Sequence, residues 1–267
     1  MRVAFVGTGQ IGTPMAERLL AAGHDLTVYA RRAEVRERFA ELGAAVTDSL
    51  AAAAQAAEVV HVAVYSDDQF ADVSLADDGL VANLVDDALL VSHTTGSPAT
   101  IQRVAAAGNG HVVDAPFSGT APDIVAGHLT VMLGGAPDDV ARARKTIAAF
   151  GDPVVDIGAL GSALVVKLLN NALLSANTQL AVQADAIANQ LGVETAVFAP
   201  VIMESSGASY AMGVIRNIGS TQQMIELAGH YLRKDTDVVQ QVLRELGVDL
   251  GIIGEVIDRG PAKFQAR

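Results

Sequence analysis

The sequence predicts an α/β fold in which a doubly wound, mainly parallel sheet is followed by a smaller all-α domain. Two patterns indicate this arrangement. Before Ile157, short apolar runs alternate with alanine-rich segments whose apolar residues recur at helical spacing, as in strand–helix–strand units. After Gly158 the strand-like runs stop, and long helical patterns follow. We therefore predict one domain over residues 1–157 and a second over residues 158–267, joined by a long interdomain helix.

Short β-favouring runs give the strands, and apolar residues at helical spacing give the helices. The predicted strands are Arg2–Val6, Leu26–Tyr29, Val59–Val64, Leu89–His93, Val112–Asp114, Thr130–Leu133 and Val154–Asp156. Helices between them, such as Met15–Ala22 and Val35–Leu42, are expected to cover both faces of the sheet. The predicted helices of the second domain are Ser162–Gln190, Ala196–Ser205, Gly213–Leu227 and Thr236–Leu246.

Composition limits the possible partners. The chain has 267 residues, is 51% hydrophobic and carries a net charge of −12, so we expect an acidic, well-cored protein that binds neither nucleic acid nor an anionic membrane. It has no cysteine, which excludes thiol chemistry and suits a reducing compartment. The first apolar run is too short for a signal peptide, and polar residues interrupt the longest apolar segment. A cytoplasmic location is the expectation.

A glycine pattern follows the first predicted strand and precedes the first helix. It reads Gly7-Thr8-Gly9-Gln10-Ile11-Gly12. In a Rossmann domain the first glycine allows the turn, the second lets the backbone approach a pyrophosphate, and the third lets the helix pack on the strand. The strand–turn–helix context favours this interpretation over an ordinary glycine-rich loop. We predict dinucleotide binding by this turn.

The end of the second predicted strand bears on which dinucleotide is bound. An NAD site usually has a carboxylate there for the ribose hydroxyls, whereas this chain has Arg31 and Arg32. Two guanidinium groups suit a 2′-phosphate, so we predict NADP in preference to NAD. The alternative is that both arginines are solvated residues at the start of the next helix.

A single lysine lies in the apolar segment over residues 158–171, which reads GALGSALVVKLLNN. In a helix, Lys167 and Asn171 share one face. A buried lysine is costly unless its surroundings use it. Spacing alone leaves two interpretations open, namely a lysine that reaches water and a lysine that transfers protons.

Five motifs occur in order along nearly the whole chain. They are the turn with its following helix (GTGQIGTPMAERLL), Thr94-Thr95-Gly96-Ser97-Pro98, Asp114-Ala115-Pro116-Phe117-Ser118-Gly119-Thr120, the lysine segment, and Lys234-Asp235. Together they resemble the 3-hydroxyacid dehydrogenase family, which contains 3-hydroxyisobutyrate dehydrogenases and tartronate semialdehyde (glyoxylate/succinic semialdehyde-type) reductases. The resemblance implies an NADP-dependent enzyme that transfers hydride between the nicotinamide and a small 3-hydroxy acid or the matching carbonyl acid.

The resemblance also implies roles for individual residues. Lys167 is the general acid/base, and burial is expected to lower its pKa. Asn171 holds the substrate or the Lys167 side chain in position. Ser118 and the Gly119 amide receive the substrate carboxylate, with Lys234 as a second cation. The cofactor-binding residues implied by the motifs are Gly7, Gly9, Gln10, Ile11, Gly12, Arg31, Arg32, Tyr65 and Thr95.

Several positions depart from the family pattern. Ala163 replaces a glycine of the lysine motif, Thr120 replaces the closing glycine of the third motif, and Phe117 replaces a smaller aliphatic residue. Tyr65 begins a Tyr-Ser pair where the family often has Leu-Pro. Two alternatives therefore stay open: an imine reductase of the same fold, which generally lacks the motif lysine, and a non-catalytic NADP-binding scaffold.

Two further expectations concern ligands and assembly. The six histidines show no metal-ligand spacing, so no metal is predicted. A long helix that is apolar around much of its circumference indicates a partner subunit, and a homo-oligomer, dimer or tetramer, is expected.

Overall fold

The computed structural model describes residues 1–264, and its contacts divide the chain into two compact units, Met1–Lys167 and the segment that begins at Leu168. Helix α9 (Ser162–Gln190) begins in the first unit and continues into the second. The predicted fold class is confirmed, because a sheet domain comes first and a helical region follows. The predicted boundary at residue 157 lies at the end of the last strand, while the division by contacts falls inside α9.

Nine strands form the sheet of the first unit. They are β1 (Arg2–Val6), β2 (Asp25–Tyr29), β3 (Ala45–Thr47), β4 (Val59–Val62), β5 (Leu89–Ser92), β6 (Val112–Asp114), β7 (Phe117–Ser118), β8 (Leu129–Gly134) and β9 (Gly151–Gly158). Their order is β3-β2-β1-β4-β5-β6-β8-β7, with β9 beside β8. Strands β1 to β6 all run parallel to one another, β8 runs antiparallel to β6 and β7, and β9 runs parallel to β8. The sheet is therefore mainly parallel, as predicted.

Helices cover both faces of this sheet. Those of the first unit are α1 (Gly12–Ala21), α2 (Ala33–Glu41), α3 (Leu50–Gln55), α4 (Asp67–Leu75), α5 (Leu80–Asn83), α6 (Pro98–Ala107), α7 (Ala121–Ala126) and α8 (Pro137–Ile147). Alternate strand residues enter two separate cores. Phe5 packs in one core with Leu19 of α1, and Val6 packs in the other with Val104 of α6. This alternation is what a sheet covered on both faces requires.

Two strands were not predicted, and two predicted strands are shorter than expected. Strands β3 and β7 have three and two residues, too few for a clear alternation of apolar and polar side chains. Strand β4 ends at Val62 rather than Val64, and β5 ends at Ser92 rather than His93. The chain leaves both strands to form the loops that carry the candidate site.

The second unit is helical in its described residues. After α9 come α10 (Thr195–Met203), α11 (Tyr210–Ile218), α12 (Thr221–Glu245) and α13 (Ile252–Arg259). Two apolar clusters hold them together, one around Met212 and Ile215 and the other around Ala172 and Val239. In residues 1–264, no helix is both long and apolar enough to cross a membrane.

The predicted helix Gly213–Leu227 is wrong. Helix α11 ends at Ile218, and Gly219 caps it in a left-handed conformation. The hydroxyl of Ser220 then accepts a hydrogen bond from the Gln223 N–H at 3.3 Å at the start of α12. The predicted helix Thr236–Leu246 is the second half of α12, since Gly229 is buried inside that helix and does not end it.

A buried carboxylate joins the sheet to the start of α9. Asp114, the last residue of β6, has no solvent exposure. Its Oδ1 accepts a hydrogen bond from the Gly161 N–H at 2.7 Å, and its Oδ2 accepts one from the Leu164 N–H at 2.8 Å. Burial raises the pKa of Asp114, and the backbone N–H groups act in the opposite direction. The carboxylate therefore caps the helix that carries Lys167.

Asp114→Asn is expected to lower the free energy of unfolding by about 2–3 kcal/mol. The asparagine NH₂ would face one of the two buried backbone N–H groups, so that N–H would lose its acceptor. Asp123→Asn is the matched control, since Asp123 caps the short helix α7 at the surface, and we expect it to cost about 1 kcal/mol. Urea unfolding of both variants measures the difference. Equal losses would contradict the role given to Asp114.

Candidate active site

The glycine turn between β1 and α1 has the shape that a dinucleotide requires. Gly7 has φ +105°, and a Cβ there would lie 2.2 Å from the Ala63 carbonyl oxygen. A Cβ on Gly12 would lie 1.8 Å from the Gly7 carbonyl oxygen, which explains the close helix–strand packing. In contrast, nothing lies within 4 Å of a Cβ on Gly9. The backbone is therefore open at the position where a pyrophosphate would approach.

The other two residues of this turn lie at its mouth. Gln10 is exposed and Ile11, the N-cap of α1, is half-buried. No side chain caps α1, so the first amides of the helix can face an anion. The residues present thus fit a dinucleotide phosphate.

Arg31 and Arg32 are exposed just after the end of β2, at the position where an NAD site usually has a carboxylate. Arg32 Nη1 lies 3.5 Å from Glu34 Oε1, in a pair that is open to solvent on both sides. A third arginine was missed by the sequence prediction. Arg36 Nη1 donates hydrogen bonds to the carbonyl oxygens of Ala30 (2.8 Å) and Arg31 (2.9 Å). It therefore sets the course of the backbone that presents the two predicted arginines.

The loops after β4 and β5 carry the other predicted cofactor residues. Tyr65 is 63% exposed and its N–H donates to Gln69 Oε1 at 3.0 Å, while Thr95 is half-buried. The Thr94 hydroxyl accepts a hydrogen bond from the Val64 N–H at 3.2 Å, so the two loops are tied together. The carboxylate of Asp67 provides a second connection.

Asp67 lies against Gly96 and leaves it no room for a side chain. A Cβ on Gly96 would lie 1.9 Å from Asp67 Oδ1. Asp67 Oδ2 accepts a hydrogen bond from the Thr100 hydroxyl at 2.6 Å. Burial raises the pKa of Asp67, and the bonds from Thr100 and the Ser97 N–H act in the opposite direction. The sequence analysis did not identify Asp67, because Asp67 begins α4 while Gly96 lies in the loop after β5, and no sequence motif links the two positions.

Residues 115–119, which include the two-residue strand β7 and which we call the 115–119 loop, contain the predicted carboxylate-binding residues. Ser118 is half-buried and Gly119 is exposed with φ +136°. A Cβ at Gly119 would also lie 2.8 Å from Leu129 Cδ1, so both the backbone angle and the space favour glycine here.

Thr120, one of the departures from the family pattern, has a structural use. Its N–H and its hydroxyl both donate to Asp123 Oδ2, each at 2.7 Å, at the start of α7. These bonds lower the pKa of Asp123. The threonine thus anchors the end of the 115–119 loop instead of distorting it.

Lys167 lies in the first unit beside this loop. Its Nζ is 5.9 Å from the centroid of the Phe117 ring, within cation–π range. The side chain is half-buried, less than the aliphatic sequence around it suggests, because Val165, Val166 and Leu169 are exposed. Ala163 is fully buried at the base of the same helix, and its methyl is accommodated there. The structure therefore brings Lys167 to the Phe117 ring, and Ser118 is the next residue of β7.

The remaining predicted residues belong to the second unit. Asn171 lies one turn after Lys167 on α9 and is 1% exposed. Its Oδ1 accepts a weak bond from Asn170 at 3.4 Å, but its buried Nδ2 has no hydrogen-bond partner in residues 1–264. A buried amide without a partner is costly and points to a ligand.

Lys234 lies on α12 and is half-buried. Burial lowers the pKa of its ammonium, and the neighbouring Asp235 carboxylate acts in the opposite direction. His230, one turn earlier on α12, was missed by the sequence prediction, and its Nε2 is buried without a partner among the described residues. Residues 1–264 contain no group of three side chains that could hold a metal ion.

Two protein-family sequence models match the chain. The NAD binding domain of 6-phosphogluconate dehydrogenase matches residues 2–161, and the NAD-binding region of NADP-dependent 3-hydroxyisobutyrate dehydrogenase matches residues 161–259. Together they cover almost the whole chain.

Individual proteins agree with these matches. A 3-hydroxyisobutyrate dehydrogenase of Pseudomonas aeruginosa is 34% identical over 215 residues, which cover 79% of this chain and 72% of that protein. A 3-sulfolactaldehyde reductase of Escherichia coli is 28% identical, over 93% of this chain and 85% of that protein. The fold is similar to that of a Mycobacterium tuberculosis 3-hydroxyisobutyrate dehydrogenase solved with L-serine, with a TM-score of 0.84 and 22% identity over 96% of this chain and 91% of that chain.

With both halves of the chain matched to this family and a curated relative 34% identical, the protein belongs to the 3-hydroxyacid dehydrogenase family and is an NAD(P)-dependent oxidoreductase.

Proposed function

We propose that the protein is an NADP-dependent enzyme that transfers a hydride between the nicotinamide and a small 3-hydroxy acid, or the matching semialdehyde or keto acid. The observation that carries this proposal is Lys167, whose Nζ lies over the ring of Phe117, the residue before Ser118. The names of the relatives, 3-hydroxyisobutyrate dehydrogenase and 3-sulfolactaldehyde reductase, support this substrate class.

Lys167 is the proposed general acid/base. The bound nicotinamide supplies the hydride chemistry. During oxidation the neutral amine accepts the substrate hydroxyl proton as hydride leaves the adjacent carbon, and during reduction the ammonium returns a proton to the carbonyl oxygen. The face of the Phe117 ring, 5.9 Å from Nζ, is proposed to orient the ammonium. Phe117 thereby gains a role that the smaller aliphatic residue of the family pattern does not have.

The other groups bind and orient the acid. The Ser118 hydroxyl and the Gly119 N–H are proposed to donate to the substrate carboxylate. The unpartnered Nδ2 of Asn171 is proposed to donate to a substrate oxygen, and Lys234 to add a second positive charge. The glycine turn, Tyr65 and Thr95 would hold the dinucleotide, and Arg31 and Arg32 would bind its 2′-phosphate.

Lys167→Ala is expected to reduce kcat/KM about 10²–10⁴-fold with the Kd for NADPH unchanged, because it removes proton transfer and no cofactor contact. Lys167→Arg should be as inactive, since a guanidinium keeps its proton. The matched control is Lys145→Ala, an exposed lysine of α8, which should keep full turnover. Turnover by Lys167→Ala comparable to wild type would refute the lysine assignment.

These assays also separate the two open alternatives. A panel of small 3-hydroxy acids, carbonyl acids and cyclic imines is tested with NADPH and NADH. Turnover of imines alone would indicate an imine reductase, and NADPH binding without any turnover would indicate a scaffold protein.

The double variant Arg31→Ser, Arg32→Ser is expected to weaken NADPH binding about tenfold or more and to leave NADH binding unchanged, because each lost guanidinium removes charge-assisted bonds to the phosphate. Fluorescence titration with both cofactors measures this. The control is Arg38→Ser, which removes an exposed arginine of α2 that pairs with Glu17 of α1. An equal loss for NADPH and NADH would contradict 2′-phosphate recognition.

A homo-oligomer is proposed from an exposed apolar stripe on α9. Leu169, Leu173, Leu180 and Ile187 are 43%, 50%, 54% and 47% exposed, and their spacing of four and seven residues places them on one face. A second copy of the chain is the proposed occupant, because a stripe that repeats every seven residues packs well against its own copy.

Replacing Leu173 and Leu180 together by Glu should shift the protein from oligomer to monomer in analytical ultracentrifugation, since four buried charges would face each other across a two-fold contact. Leu246→Glu, a 47% exposed leucine outside the stripe, is the control and should leave the mass unchanged. A wild-type protein that is monomeric in solution would refute the proposed homo-oligomer.

A further inference from the structure

Two histidines, His61 and His93, are buried together beneath the ends of β4 and β5, and the proposed chemistry uses neither. We propose that His93, oriented by His61, is a positioning residue that fixes the 115–119 loop relative to the loop at Thr94 and Thr95. The inference rests on the proposed function for its effect on substrate binding. Its structural part, the position of the loop, can be tested without any turnover.

His93 joins three strand ends. Its N–H donates to the Val62 carbonyl oxygen at 2.8 Å, at the end of β4. Its Nδ1 lies 2.8 Å from the carbonyl oxygen of Ala115, one residue after β6. The Ala115 N–H in turn donates to the Ser92 carbonyl oxygen at 2.7 Å. The imidazole therefore hydrogen-bonds to the buried carbonyl of Ala115, the first residue of the 115–119 loop.

The hydrogen-bond partners determine the tautomer of His93. A carbonyl oxygen only accepts, so the Nδ1 of His93 carries the hydrogen. The Nε2 of neutral His93 then accepts from His61 Nδ1 at 2.9 Å, and His61 Nε2 accepts from the Thr146 hydroxyl at 2.9 Å. The Thr146 hydroxyl is also 2.9 Å from the Ala143 carbonyl oxygen, so two acceptors share its hydrogen. Burial lowers the pKa of His93 to about 4, which keeps it neutral at neutral pH.

The two rings cannot turn away from these partners. The His61 and His93 rings are parallel, with an interplanar angle of 2° and centroids 5.1 Å apart, as an in-plane hydrogen bond between two imidazoles requires. Phe150 packs its ring edge-on against both histidines, and Phe5 stacks on His61. Because the surrounding core is closed, the bond from His93 to Ala115 is a rigid connection between sheet and loop.

This connection acts on the substrate side of the site. Ser118 lies three residues after Ala115, and Thr94 and Thr95 directly follow His93. One imidazole therefore sets the starting points of both the proposed carboxylate-binding loop and the proposed cofactor loop. Losing the bond to Ala115 should displace Ser118 and Phe117, while the glycine turn that binds the pyrophosphate stays in place.

Two variants separate the bonds of His93. In His93→Asn the side-chain amide can replace Nδ1 and still donate to Ala115, but it does not reach His61. In His93→Gln the amide can replace Nε2 and meet His61, but the Ala115 carbonyl loses its donor. Each variant loses one buried hydrogen bond, so we expect similar unfolding midpoints.

His93→Gln is expected to raise the KM for the hydroxy acid about tenfold, the effect of one lost hydrogen bond, with the Kd for NADPH unchanged, whereas His93→Asn should stay close to wild type. Amide hydrogen exchange in residues 117–119 should be faster in His93→Gln than in His93→Asn. Equal KM values and equal exchange in the two variants would overturn the proposal.

A measurement on the wild type remains decisive if neither variant folds. Nitrogen NMR of the imidazoles is expected to show His93 as the Nδ1–H tautomer, and an Nε2–H tautomer would overturn the proposal. If the wild type neither oxidises a hydroxy acid nor reduces a carbonyl acid, the proposed function fails, while hydrogen exchange and the tautomer still decide whether His93 positions the loop.

Discussion

The capping of α9 by Asp114 is the interaction on which the candidate site depends. A carboxylate at the end of β6 accepts two amides at the start of the helix, inside a closed core. The same strand end continues into the 115–119 loop, so the loop and the helix that bears Lys167 start from one point. Because Lys167 lies in the second turn of α9, its position over Phe117 follows from this cap and from helix geometry. The proposed proton donor is thereby attached to the rigid sheet.

The sequence was informative where function is carried by local pattern. The bounds of α9 and the strand–turn–helix context of the glycine turn follow from residues that are neighbours in the chain. Interactions between distant segments could not be predicted in the same way. The His61–His93 pair and the contact of Asp67 with Gly96 both depend on which strand ends and loops meet in space. The break at Gly219 was missed because glycines in helical patterns mark ends at some positions and interiors at others.

The departures from the family pattern are not defects in this structure. Thr120 binds Asp123 and ends the 115–119 loop, Phe117 offers its ring to Lys167, and the methyl of Ala163 is fully buried. Each substitution is accommodated within the first unit by contacts of its own. A site can therefore keep its proposed chemistry while its supporting residues change, provided that the cap on α9 and the opening of the carboxylate loop keep their positions.

The contact between Asp67 and Gly96 has a consequence for how this protein can vary. No side chain fits at position 96 while a carboxylate occupies position 67, and the carboxylate in turn binds the Thr100 hydroxyl. These positions are therefore expected to be epistatic: a larger residue at 96 requires the Asp67 carboxylate to move or to be replaced, and either change disturbs the hydrogen bond from the Thr100 hydroxyl. A substitution at 96 is therefore expected to be better tolerated in a background where position 67 is already smaller, so the effect of one change depends on the other.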